Sequence, residues 1–172
     1  WIYLTNANQS GFAIVRETST GQTNYAIEIA NNVPVAMFTT EAGVRYESVA
    51  PAMYTIGVND WTHLAATFSP ESKALRLYVD GALVSERIVD SLEGCAEGQI
   101  VVWNGGAPSG HVYMGGGLHG YLDEVRIWSV ARLAGDIDDG RNLIVNTPWN
   151  FGSVSGSAGV GGTVAGKRYA LF

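Results

Sequence analysis

The sequence predicts an all-β fold of packed antiparallel sheets. Three observations carry this: apolar runs are short and frequent, turn residues separate them, and helical periodicity is nearly absent. The chain has 172 residues, of which 22 are glycine; 15% are charged and 47% hydrophobic. This length suits one domain, which buries roughly 70% of the surface its unfolded chain exposes. Roughly ten short strands with one weak helix signal mean a sandwich or a barrel.

The elements follow in chain order. Trp1 to Leu4 is apolar and extended, and Asn6 to Gly11 is a polar loop. Phe12–Arg16, Tyr25–Ala30 and Val33–Thr39 read as strands, the last opened by an Asn31-Asn32 turn. Val44–Ser48 is a shorter candidate. Over Trp61–Ser69, Leu64, Ala66 and Phe68 share one face; over Lys73–Val79, Leu75, Leu77 and Val79 do. Asp80-Gly81 stands between that strand and Ala82–Val89. Asp-Gly between apolar runs signals a type I′ hairpin, which needs positive φ at both turn positions. Gln99–Trp103, His111–Met114 and Tyr121–Trp128 are further strands, and Arg132–Ile137 is one helical turn. Gly152–Gly162 reads as a Gly/Ser linker, and Gly166–Phe172 as a terminal strand. Residues 1–145 are thus expected to form the sandwich, and 146–172 a linker with a strand that completes this sandwich or a neighbouring one.

Composition excludes several functions. A net charge of −6, with only Lys73 and Lys167 as lysines, argues against nucleic acid or anionic membrane as partner. No run approaches the ~20 apolar residues of a membrane span, so no membrane insertion is expected. The single cysteine, Cys95, can form neither an internal disulfide nor a structural zinc site.

Three segments, in order, resemble one family. Trp61-Thr62-His63-Leu64-Ala65-Ala66-Thr67-Phe68 is similar to its W-x-H-v-A-x-t-y strand, and Leu75-Arg76-Leu77-Tyr78-Val79-Asp80-Gly81 to its l-x-L-Y-V-D-G hairpin. Gly120-Tyr121-Leu122-Asp123-Glu124-Val125-Arg126-Ile127-Trp128 is similar to its G-x-I-D-E-V-R-I-W strand. The family is the laminin-G-like jelly roll of the concanavalin-A-like lectin/glucanase superfamily, and the resemblance runs from about Trp1 to Asn142. It implies a two-sheet antiparallel jelly-roll β-sandwich. It is informative for fold and much less so for function.

The family's opening strand, of the form G-k-A-l-x-F, has no counterpart before Trp1. Gly166–Phe172 resembles it instead. The chain therefore reads as a window on a tandem array, or as one whose terminal strand, including Tyr169, Leu171 and Phe172, fills the slot in its own sandwich or a neighbouring subunit's. Exchange between subunits would assemble a surface fibre or array.

Enzymatic chemistry is not expected. Glucanase relatives carry E-x-D-x-x-E on one strand, which puts acid and nucleophile on one face, and the chain has no such run. Asp90 and Glu93 lie in a loop, and Asp123 and Glu124 are adjacent, so on a strand they point oppositely. There is no G-x-S-x-G. Asp136-Ile137-Asp138-Asp139-Gly140 fails as a calcium loop, because its glycine comes one position early and Thr147 stands at the twelfth. The resemblance implies a structural Ca²⁺ beside Asp123; a carboxylate hydrogen-bonded to backbone N–H groups is the other reading. His63 and Tyr78 match structural family positions.

Trp103, Asn104, His111 and Tyr113 flank a Gly/Pro-rich loop and form the expected sugar-stacking platform, with Tyr121 nearby. Trp1, Trp61 and Trp128 are assigned to the core. The function that follows is a non-catalytic extracellular or cell-surface recognition and adhesion module. Its partner is a glycan or an extracellular protein, with self-association through the terminal strand as the alternative.

Overall fold

The computed structural model describes residues 1–18, 21–40, 43–69, 71–89, 111–128 and 130–143, together with the backbone of 169–171. The strands are β1 (Ile2–Leu4), β2 (Gly11–Glu17), β3 (Thr23–Ala30), β4 (Val33–Thr39), β5 (Arg45–Val49), β6 (Trp61–Thr62), β7 (Leu64–Ser69), β8 (Ala74–Val79), β9 (Ala82–Ile88), β10 (His111–Gly116), β11 (Gly120–Leu122) and β12 (Tyr169–Leu171). One short helix, α1, covers Ala134–Gly140. Among the described residues no helix is long and apolar enough to cross a membrane.

Turn chemistry sets the local hairpins. Asn31 and Asn32 take φ of 52° and 64°, and Val33 pairs back on Ala30. Asp80 and Gly81 take 50° and 85°, and Ala82 pairs on Val79. Both are two-residue turns with positive φ at each centre, whose twist matches the flanking strands.

Among the described residues the pairings form three ladders, arranged as the two layers of a sandwich. One layer is five-stranded, in the order β10-β2-β3-β4-β5. The other layer is divided between a four-stranded ladder, β12-β11-β1-β6, and a three-stranded ladder, β7-β8-β9. Each half buries its own part of the core. Ile2, Leu4 and Leu122 meet Ala13 and Ile29, along with Ile56 and Leu118. Leu75 and Leu77 meet Ala36 and Phe38, with Val89 and Ala50. The expected face of Leu64, Ala66 and Phe68 pairs with Val79, Leu77 and Leu75 in that register. Alternation along β8 therefore places Leu75, Leu77 and Val79 in the core, where burial is worth about 25 cal/mol per Å², while Ala66 of β7 is exposed.

The layer divides at His63. The expected strand Trp61–Ser69 is interrupted there, because Asp80 takes both backbone groups of His63. Its N–H donates to the His63 carbonyl at 2.9 Å, and its Oδ1 accepts the His63 N–H at 2.9 Å. Before His63 the chain pairs with β1; after it, with β8.

The expected strand Tyr121–Trp128 is shorter as well. It leaves the ladder after Leu122, where Glu124 takes φ of 50° and Asp123 Oδ1 accepts the Glu124 N–H at 3.0 Å. A left-handed residue ends the pleat. Ile127 and Trp128 consequently stand outside the core, 61% and 51% exposed.

Candidate ligand-binding face

The three family-like segments meet at one corner. Asp123 exchanges two backbone bonds with Trp1, at 2.8 and 3.0 Å. The Trp1 indole packs edge-on against His63, with centroids 5.3 Å apart, and its Nε1–H donates to the Arg141 carbonyl at 3.0 Å. The Arg126 guanidinium donates to the Gly140 carbonyl at 2.9 Å, to Glu124 at 3.0 Å and to the Leu143 carbonyl. It thereby binds the Gly140 carbonyl at the end of α1 and the segment that follows the helix. Asp138 receives Arg141 at 2.9 Å and stands against Gly81 at the β8–β9 turn. Burial first, and then the neighbouring Trp1 amino group, push the His63 imidazole down to about 4. His63 Nδ1 and Arg126 Nε are buried without a hydrogen-bond partner among the described residues.

This corner ties the helical segment to the sandwich. No three His, Cys, Asp or Glu side chains converge on one point among the described residues. A guanidinium shares the corner with Asp123, and the carboxylate already accepts a backbone N–H.

The expected platform is partly in view. His111 and Tyr113 lie on one face of β10, with rings 6.0 Å apart and Tyr113 48% exposed. Tyr113 stands opposite Val15, so it shares the face of the buried Val15, Ala26 and Met37, on the side of the five-stranded layer away from Ile27 and Ile29. Trp103 and Asn104 lie outside the described residues, as does the expected strand Gln99–Trp103.

Of the terminal strand, Tyr169–Leu171 pairs antiparallel with β11 of the same chain, Tyr169 opposite Leu122 and Leu171 opposite Gly120. Phe172 lies outside the described residues. β12 thus occupies the position beside β11, across β11 from β1.

One surface was not anticipated. Tyr3 stands opposite both Tyr121 and Trp61, so three aromatic side chains form a row across β11, β1 and β6. Centroids are 5.7 Å apart for Tyr3–Tyr121 and 5.4 Å for Tyr3–Trp61. Ile2 and Leu4 face the core, so the alternating Tyr3 faces outward. Trp61 is therefore half-buried on the outer face rather than in the core, and Tyr121 stands here rather than beside His111. Along the strands the row has two different neighbours. On one side Trp1 and His63 lie under the segment that follows α1. On the other are Thr5, whose hydroxyl donates to the His119 carbonyl at 3.2 Å, and Asn59, whose Oδ1 receives the Tyr3 hydroxyl at 3.4 Å. The parity of Tyr3 against Ile2 and Leu4 was the available signal.

A comparison with curated proteins finds no match. The family model Laminin_G_3, of the concanavalin A-like lectin/glucanases superfamily, matches residues 1–138. With the layered antiparallel fold and the three converging motifs, the chain belongs to this laminin-G-like family.

Proposed function

We propose that the chain is a non-catalytic recognition and adhesion module of the cell surface or extracellular space, binding carbohydrate or protein. Membership of a laminin-G-like family supports a binding role at the level of the superfamily. The observation that carries the finer reading is the outward row of Tyr3, Trp61 and Tyr121 on the four-stranded ladder. Exposed aromatic groups give large contact area at small entropic cost, and recognition surfaces are enriched in them. The test is retention of the intact chain on arrays of glycans and of immobilised extracellular matrix proteins. Binding to members of either array is expected; binding to neither overturns the reading. A structural Ca²⁺ at Asp123 would need backbone carbonyls for its remaining ligands, and an unchanged melting temperature in chelator removes it.

One observation favours a second reading, a fibre or array subunit assembled by strand exchange. β12 pairs with β11 at the edge of its ladder, and an edge pairing can form equally within or between chains. Exchange predicts a concentration-dependent polymer that is lost when Gly166–Phe172 is deleted. A monomer that the deletion leaves folded and unchanged in mass rules it out.

A further inference from the structure

We infer that the row of Tyr121, Tyr3 and Trp61 binds an uncharged glycan. This rests on the recognition reading and names its ligand class. The inference starts from the register. Tyr3 is the cross-strand partner of both neighbours, so the sheet itself holds the rings at steps of 5.7 and 5.4 Å. Tyr121 is 41% exposed, and no hydrogen bond reaches its hydroxyl among the described residues. A ring edge and a free hydroxyl at the surface suit a ligand that is apolar on one side and polar at its rim.

The tilts narrow the class. Tyr3 lies at 62° to Tyr121 and at 55° to Trp61, so the row is corrugated. A flat fused ligand needs coplanar rings. Puckered sugar rings joined by flexible linkages can follow a corrugated surface, each placing its C–H face on a different ring.

Charge narrows it further. The row contains no ionisable group that is charged at neutral pH, and the acidic side chain adjacent to it, Asp60, accepts the Trp61 N–H at 2.9 Å. Among the described residues the row holds no cation, and with a net charge of −6 a sulfated or uronic-acid polymer is repelled overall. The flank beyond the row offers groups for sugar hydroxyls. Thr5 Oγ1 keeps acceptor capacity while donating to His119, and Asn59 keeps its amide N–H groups while accepting from Tyr3. Asn59 is held in place by a left-handed φ of 62° and by its N–H, which donates to the Leu4 carbonyl at 2.8 Å.

The experiment is electrophoresis of the intact chain through gels containing a β-glucan, an α-glucan, a galactomannan or heparin. Oligosaccharides of any retarding polymer are then titrated by tryptophan fluorescence. Retardation by at least one uncharged polymer and none by heparin is expected. Tyr121→Ala should weaken binding about tenfold, the scale of one lost ring contact. Tyr121→Phe, which keeps the ring and loses the hydroxyl, should weaken binding less than Tyr121→Ala, and Tyr113→Ala on the other layer should stay near the parent. If Tyr121→Ala does not fold, Asn59→Ala and Thr5→Val test the polar flank and should each weaken binding severalfold. No retardation by any uncharged polymer overturns the inference, as does full binding by folded Tyr121→Ala. If Tyr113→Ala alone abolishes retention, the inference falls and recognition survives at β10. If only immobilised proteins are bound, it falls and recognition survives with a protein ligand.

Discussion

The two ends of the β1–β11 pair are fastened by different chemistry. At the Leu4 end, buried Gln9 and Asn32 form a neutral amide knot. The Gln9 N–H donates to Asn32 Oδ1 at 2.7 Å, and Gln9 Nε2 reaches the carbonyls of Asn6 and His119 at 2.8 and 3.0 Å. Asn32 Nδ2 donates to the Ile56 carbonyl at 3.2 Å. No charge takes part. At the Trp1 end the fastening runs through His63, Asp80, Arg126, Asp138 and Arg141. Neutral buried networks are indifferent to pH and salt once every member is satisfied. Charged ones answer to both. The comparison teaches that one end of this sandwich is fixed, while the other, which carries the helix, is adjustable.

Room for change differs in the same way. A Cβ at Gly120, where φ is 152°, would fall 1.8 Å from the Tyr3 carbonyl oxygen, a backbone atom that cannot step aside. A Cβ at Gly81 would meet Asp138 Oδ1 at 2.3 Å, the end of a side chain that can turn away. Gly120→Ala should therefore be the most damaging change, costing about 4 kcal/mol or preventing folding, as read by denaturant unfolding. Gly81→Ala should cost clearly less. Asn32→Ala comes next, at about 2–3 kcal/mol, because it leaves the Gln9 N–H and the Ile56 carbonyl to find new partners in the interior. That loss should be the same at every pH where the chain is folded.

At the charged end, Arg126→Ala should cost about 1–2 kcal/mol and act locally. Amide exchange should accelerate over 134–143 while β2–β5 keep their protection. Equal acceleration everywhere would mean the corner is not a separate fastening. The smallest effect concerns His63. Its imidazole titrates at about 4 in the fold against an ordinary 6.5. As pH falls through that window the unfolded chain takes up a proton that the folded chain does not, so stability declines with falling pH. After solvent screening the decline is on the order of 1 kcal/mol. His63→Phe should remove this decline across the window; a slope identical to the parent's would show that His63 is not its source.

Most of the strands were legible because alternation and turn chemistry agree. Val33–Thr39 has the predicted limits, and the asparagine and Asp-Gly turns both have positive φ at each centre. The failures share a cause: they depend on contacts distant in sequence. The break at His63 is made by Asp80, seventeen residues away, and reads as an unbroken strand without it. Asp123 to Trp128 alternates well, yet Glu124 adopts a left-handed φ that no sequence pattern marks. The aromatic row was missed because tryptophan was assigned to the core by residue type, although Tyr3 alternates with two core residues. Of the residues expected at a site, Asp123 falls at a structural corner and His111 with Tyr113 on one face of β10.

The division of the second layer also bears on the order of assembly. β2–β5 and β7–β9 join strands that are neighbours in sequence, and such hairpins close quickly. The four-stranded ladder has no such pair. It brings together residues 2–4, 61–62, 120–122 and 169–171, so loop-closure entropy must be overcome before its contacts form. Two meanders can therefore be in place while the chain is still being synthesised, and the ladder must wait. Tyr3, made well before Tyr121, has no ring to meet on that side until Tyr121 emerges. The proposed ligand face is then the last part of the sandwich to exist, and an unfinished chain has nothing to bind with.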